Sequence, residues 1–214
     1  MQQTISETIT HHRPILVETT VRQISLEEPL PVRWTKKEYH YLAELGMFEG
    51  KRTEFLEGEI IVMPTMNSPH ATALEVTYDA LRDTFAKGFA VRSQSPIELD
   101  ENFEVVPDVF VIRGNARDFR EAHPKTADLI IEISDTTLRY DRNRKAGLYA
   151  KFGIQDYWIL NLKNRTLEVY RRPFEDENTV YGFAYEDKLT FDETKEVSPL
   201  AMPDAKIKVA DILP

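Results

Sequence analysis

The sequence predicts an α+β protein, a mixed β-sheet with helices on its faces. Three observations carry that expectation. Residues 128–134 are a short run dense in Ile and Leu, apolar on both faces as in a central, doubly covered strand, and residues 156–162 read as a further strand. Two segments, beginning near Thr35 and Ser68, place apolar residues at helical spacing. Along the chain the order reads helix, strand, helix, three strands, helix, two strands. At 214 residues the chain has the size of one domain with additional arms.

Residues 1–31 show no sustained period and read as an N-terminal arm. Thr35 with Glu38 three positions later forms a capping box; Tyr39, Leu42 and Leu45 follow, and Gly46 ends the helix. Residues 53–63 read as a strand bent near Gly58. After a loop over 64–69, Ser68 is expected to cap a helix whose first residue is Pro69. Residues 89–99 and 105–112 predict an antiparallel hairpin around Asp100, Glu101 and Asn102. A strand follows over 128–134, then a loop and helix over 136–152 closed by Gly153. Residues 156–162 and 166–172 are two strands joined by Lys163, Asn164 and Arg165. The core is expected over 32–173, with a strand-rich extension over 174–214.

Composition excludes several functions. The 27 Lys and Arg against 36 Asp and Glu give a net charge of −9, which rules out a basic nucleic-acid coat protein but not a nucleic-acid enzyme with a local basic patch. Having no Cys, the chain offers no disulfide, thiol nucleophile or Cys-ligated zinc. No apolar run reaches membrane-spanning length, and the polar N-terminus lacks a signal core, so a cytoplasmic protein is expected. No phosphate-binding glycine loop, G-x-S-x-G elbow or H-E-x-x-H pair is present.

What remains is acids in apolar strands. Asp108 lies within Val105–Ile112 and Glu132 within Leu129–Ile133. A carboxylate there is costly unless paired, protonated or bound to a cation. Two of them on strands expected to lie close together match a divalent site for Mg²⁺ or Mn²⁺, held by a few carboxylates, waters and a substrate phosphate. Lys145, within a basic helix, can orient a metal-bound water and stabilise a forming oxyanion. Arg139, Arg142, Arg144, Lys145 and Lys151 are the densest local positive charge, fit either to track a phosphate backbone or to form a solvated helix face. His70 follows a proline-bounded loop, where a helix-end hydrogen-bonding role competes with a role at nucleic acid.

The segments Glu54–Ile60, His70, Pro107-Asp108-Val109, Ile131–Ser134, Asp141 with Lys145 and Tyr149, and Asp156–Ile159 together resemble the PD-(D/E)XK, or restriction-endonuclease-like, nuclease superfamily. Within it they resemble a bacterial branch, abundant in cyanobacteria, labelled candidate restriction endonucleases. The resemblance spans roughly 34–170. It implies a restriction-endonuclease-like core with a central four-stranded mixed sheet, and a metal-dependent endonuclease acting on DNA. Asp108, Glu132 and the carbonyl of Ile133 would hold Mg²⁺ or Mn²⁺, with Glu54 completing the shell, and Lys145 would position the attacking water. Arg142, Arg144 and His70 are the expected nucleic-acid contacts, and a homodimer is the expected assembly. One position departs from the superfamily: Ser134 stands two residues after the glutamate, where lysine is usual, so Lys145 supplies the amine from the next helix. A non-catalytic binding or assembly protein on the same scaffold, or a nuclease subunit needing a separate targeting partner, is the alternative.

Overall fold

The computed structural model describes residues 30–85 and 87–214. The arm expected over 1–31 therefore lies, apart from its last two residues, outside the described part. Helix α1 (Lys36–Glu44) begins as its sequence dictates. The Thr35 side chain accepts from the Glu38 backbone N–H, and the Glu38 carboxylate accepts from the Thr35 N–H. Strands β1 (Thr53–Leu56) and β2 (Glu59–Val62) form a tight hairpin whose turn residues Glu57 and Gly58 both have positive φ. At Gly58 a Cβ would come within 2.9 Å of the Arg33 Cβ, so the turn needs glycine twice over.

Helix α2 (Ser68–Thr84) starts one residue earlier than expected. Its cap is Asn67, which accepts from the His70 N–H at 3.0 Å, so Ser68 is the first helical residue and Pro69 the second.

The strand expected over 89–99 is two strands, β3 (Phe89–Ser93) and β4 (Ile97–Glu98), and its partner is also two, β5 (Phe103–Val105) and β6 (Val109–Arg113). The hairpin changes sheets halfway. β4 pairs with β5 in a four-stranded sheet ordered β2-β1-β5-β4, while β3 pairs with β6 in the principal sheet. Gln94 at φ 45, Pro96 and Pro107 explain the break, because prolines donate no ladder hydrogen bond. Asp108 thus sits at the bend rather than inside a continuous strand.

The principal sheet adds β7 (Leu129–Ser134), β8 (Asp156–Asn161), β9 (Thr166–Glu175) and β10 (Phe183–Asp192), in the order β10-β9-β8-β7-β6-β3. It has six strands where the family resemblance implied four. Only β7 and β8 run parallel. β9 continues through Pro173 and pairs with β10 as far as Glu175, so residues beyond 173 enter the principal sheet. The β7–β8 crossover is a helical stretch: α3 (Leu138–Tyr140), a π-helical turn (Asp141–Lys145) and α4 (Ala146–Lys151).

Both faces of β7 are covered. Leu129, Ile131 and Ile133 pack in one core with Ala73 and Leu81 of α2 and, from the C-terminal segment, Val209 and Ile212. Ile130 packs in a second core with Leu148 and Tyr149 of α4. Strand alternation therefore turns Glu132 and Ser134 toward the crossover helix.

Candidate functional site

The β6–β7 ladder ends at the pair Val109–Ile131. Beyond it the strands part, and the Ile133 N–H, left without a ladder partner on that side, donates to Asp108 Oδ2 at 2.9 Å. The carbonyl of a strand residue points to the same side as its N–H, so Ile133 also offers an oxygen toward this gap. A cavity of about 490 Å³ opens there, lined among others by Arg52, His70, Gln94, Asp108, Glu132 and Asp141.

Asp108 is 2% exposed and is met from three further sides. Arg52 Nη1 lies 2.5 Å from its Oδ1, His70 Nε2 3.3 Å and Gln94 Nε2 3.4 Å. Burial alone would raise its pKa; the His70 hydrogen bond and the Arg52 charge outweigh it and hold the carboxyl well below the usual carboxylate range.

Glu132 belongs to a different network. Lys145, 1% exposed, places Nζ 2.8 Å from Glu132 Oε1 and 3.2 Å from Glu54 Oε1. The Tyr149 hydroxyl, one helical turn on, donates to the same Glu132 oxygen at 2.6 Å. The π-helical turn, a geometry frequent at functional sites, ends at Lys145 and aims it inward. Burial disfavours the charged amine, but Glu132 and Glu54 more than compensate, so its pKa is raised and it stays protonated. Burial raises Glu132 too, beyond what Lys145 offsets, with Asp108, Asp141 and Glu54 adding repulsion.

Glu54 is fully buried, fixed by the Val106 N–H at 3.1 Å and by Lys145, and does not line the cavity. Its second oxygen has no hydrogen-bond partner, one of four such buried side-chain atoms among the described residues. Asp141, by contrast, does line the cavity; its Oδ2 accepts from Thr137 at 2.7 Å. The expected nucleic-acid contacts Arg142 and Arg144 lie outside this cavity. Arg142 makes two bonds to Glu168, at 2.9 and 2.6 Å, and Arg144 bonds Glu59 and the Tyr181 hydroxyl.

Arg52, Gln94 and the inward role of Tyr149 are what the sequence reading missed. Arg52 had no local signal, and Tyr149 read as a core aromatic. The positive φ of Gln94, which buttresses the bend through bonds from its N–H to the Pro107 and Asp108 carbonyls, leaves no trace in composition.

Among the described residues no three His, Asp or Glu side chains already converge in metal-ligating geometry. The chemistry of the donors nevertheless fits a hard divalent cation. Four buried acids (Glu54, Asp108, Glu132, Asp141) stand against two permanent cations, Arg52 and Lys145, and the raised pKa of Glu132 marks a cluster short of positive charge.

A mixed sheet whose single parallel pair is bridged by a helix carrying a buried lysine, beside a gap between strands bordered by acids, defines an α+β protein of the nuclease-like kind. The chain matches, over residues 37–210, the family described as "Uma2: Putative restriction endonuclease". The protein belongs to that family. Among solved structures it is similar to a "putative nuclease belonging to DUF820" from Anabaena variabilis ATCC 29413. Identity is 18%, the TM-score is 0.58, and the match covers 75% of this chain and 88% of that one, a likeness of fold. No curated protein matches. Among the described residues no helix is long and apolar enough to cross a membrane.

Proposed function

We propose that this protein is a divalent-metal-dependent endonuclease that hydrolyses phosphodiester bonds in DNA. The observation that carries the reading is Lys145, a buried ammonium paired with Glu54 and with Glu132, the acid that lines the cavity, although Lys145 itself does not line it. Asp108, Glu132 and the Ile133 carbonyl are the groups that would hold Mg²⁺ or Mn²⁺, with Asp141 at the same cavity. The bound ion would supply Lewis acidity at a phosphoryl oxygen. Lys145 has three N–H donors; one bonds Glu132, Glu54 pairs with the same ammonium, and a remaining N–H would orient the attacking water. Its fixed charge favours the oxyanion that develops on attack. Glu54 and Tyr149 are positioning residues that hold this pair in register.

The test is cleavage of supercoiled plasmid and of single-stranded oligonucleotides by the full chain with Mg²⁺ or Mn²⁺. Cleavage is expected, and is expected to vanish in Asp108→Asn and Glu132→Gln while circular dichroism stays unchanged. A preparation that cuts no form of DNA or RNA with either ion overturns the reading.

The Arg52–Asp108 contact favours a second reading, a non-catalytic binding protein, because an arginine already neutralises the acid a metal needs. That reading requires that neither ion binds, a result calorimetry on the purified chain detects directly.

A further inference from the structure

The acid cavity does not end at Glu132. It shares Val62, Met63, Pro64, Thr136 and Thr137 with a larger neighbouring cavity of about 700 Å³, so the two form one continuous groove. The shared wall is the end of β2 and the residues after it, and much of it is apolar and open: Val62 is 53% exposed, and nearby Met66, on the acid side, 42%. Tyr140 and Asn143 line the far side. Asn143 spends its amide N–H on the Arg139 carbonyl at 2.7 Å and keeps its amide oxygen for another partner. A cation stands in each part of the groove, Lys51 in the acid cavity and Arg139 in its neighbour. Both are exposed, and neither side chain has an ion-pair partner among the described residues.

An apolar wall between two available cations suits a flexible polyanion whose flat apolar groups can leave its backbone. It does not suit a regular duplex, whose bases are covered on both faces and which needs a broad cationic track along its phosphates. The arginines that could build such a track are spent internally, Arg142 on Glu168 and Arg144 on Glu59. A cavity of this volume lies within the range that accepts a nucleotide-sized ligand.

We propose that the groove seats an unpaired nucleotide next to the scissile phosphate, its base against Val62–Pro64 and Tyr140 and a flanking phosphate at Arg139. The substrate class is then single-stranded or locally opened DNA. This inference rests on the nuclease reading and narrows it.

Binding and cleavage separate the two. Fluorescence anisotropy with the full chain in Ca²⁺ compares a labelled single-stranded oligonucleotide with the same sequence as a blunt duplex; a 2-aminopurine in the strand reports unstacking of a base. The single strand is expected to bind at least about tenfold more tightly. Val62→Asp and Arg139→Glu, both at exposed positions, are each expected to weaken strand binding by about tenfold with unchanged melting temperature. Equal affinity for strand and duplex, or variants that bind as the parent does, overturns the inference. Cleavage in Mg²⁺ that ignores strandedness keeps the nuclease and sinks the groove. Strand-selective binding with no cleavage in any metal sinks the nuclease and keeps the groove.

Discussion

Arg52 and Asp108 form an ion pair of 2.5 Å in which the carboxylate is buried and the guanidinium keeps access to the cavity. Arg52 stands in β1's approach to the site, where its carbonyl also accepts the Met63 N–H. A divalent cation at Asp108 must share or replace this contact. Replacing Arg52 with Gln removes the competitor and leaves the acids in place. Calorimetric titration with Mn²⁺ is expected to show affinity rising by about tenfold in Arg52→Gln and disappearing in Asp108→Asn. A fall in affinity on Arg52→Gln would mean that the arginine organises the acids rather than competing for them.

Lys145 is buried and paired with two buried acids, Glu132 and Glu54. Removing one member of a buried ion pair leaves an uncompensated charge, at a cost of about 3–5 kcal/mol. Lys145→Met is therefore expected to lower the unfolding free energy by that amount and to abolish cleavage. Denaturant unfolding followed by fluorescence of Trp158, which lies in the adjoining core, checks the first part.

Tyr149→Phe removes one hydrogen bond to Glu132 and keeps the ring's packing, so a loss of about 1–2 kcal/mol is expected, with cleavage reduced rather than abolished. Glu54→Gln separates two roles. Because Glu54 touches Lys145 and the Val106 N–H and not the cavity, cleavage should fall while Mn²⁺ affinity stays as in the parent. An equal loss of metal affinity would return Glu54 to the metal shell, where the family resemblance had placed it.

The architecture was legible where local signals are strong. Thr35 and Glu38 announced their capping box, the run Leu129–Ser134 its doubly covered strand, and Lys163–Arg165 its hairpin turn. The acids were legible for a related reason: Asp108 and Glu132 interrupt apolar runs, and their buried places in the fold show the anomaly was real. Long-range consequences were not legible. Whether β3 and β4 belong to one sheet or two depends on which neighbour takes over after Pro96, and the sequence around that proline reads the same in either case. The pairing of Arg142 with Glu168 across 26 residues was likewise not legible. Basic residues on a helix carry no local mark that says whether they face phosphate or carboxylate.

That pairing has a pH signature of its own. Burial would raise the Glu168 pKa, but the hydrogen bonds from Arg142, Tyr170 and Asn161 outweigh it, and the folded-state pKa lies below the ordinary 4.5. A carboxylate with a depressed folded pKa contributes stability that is fully present above the unfolded value. The contribution fades as pH falls below about 4.5 and through the folded pKa, because the unfolded state then takes up the proton first. Urea midpoints measured from pH 6 to pH 3 should therefore decline in the parent protein. In Glu168→Gln, which cannot titrate, the decline should be shallower by about 1 kcal/mol across that interval, the scale expected for a two-bond pair whose arginine is partly solvent-exposed. Parallel curves for the two proteins would show that the Arg142–Glu168 pair contributes nothing that acid removes, and that the loss at low pH comes from the other buried carboxylates.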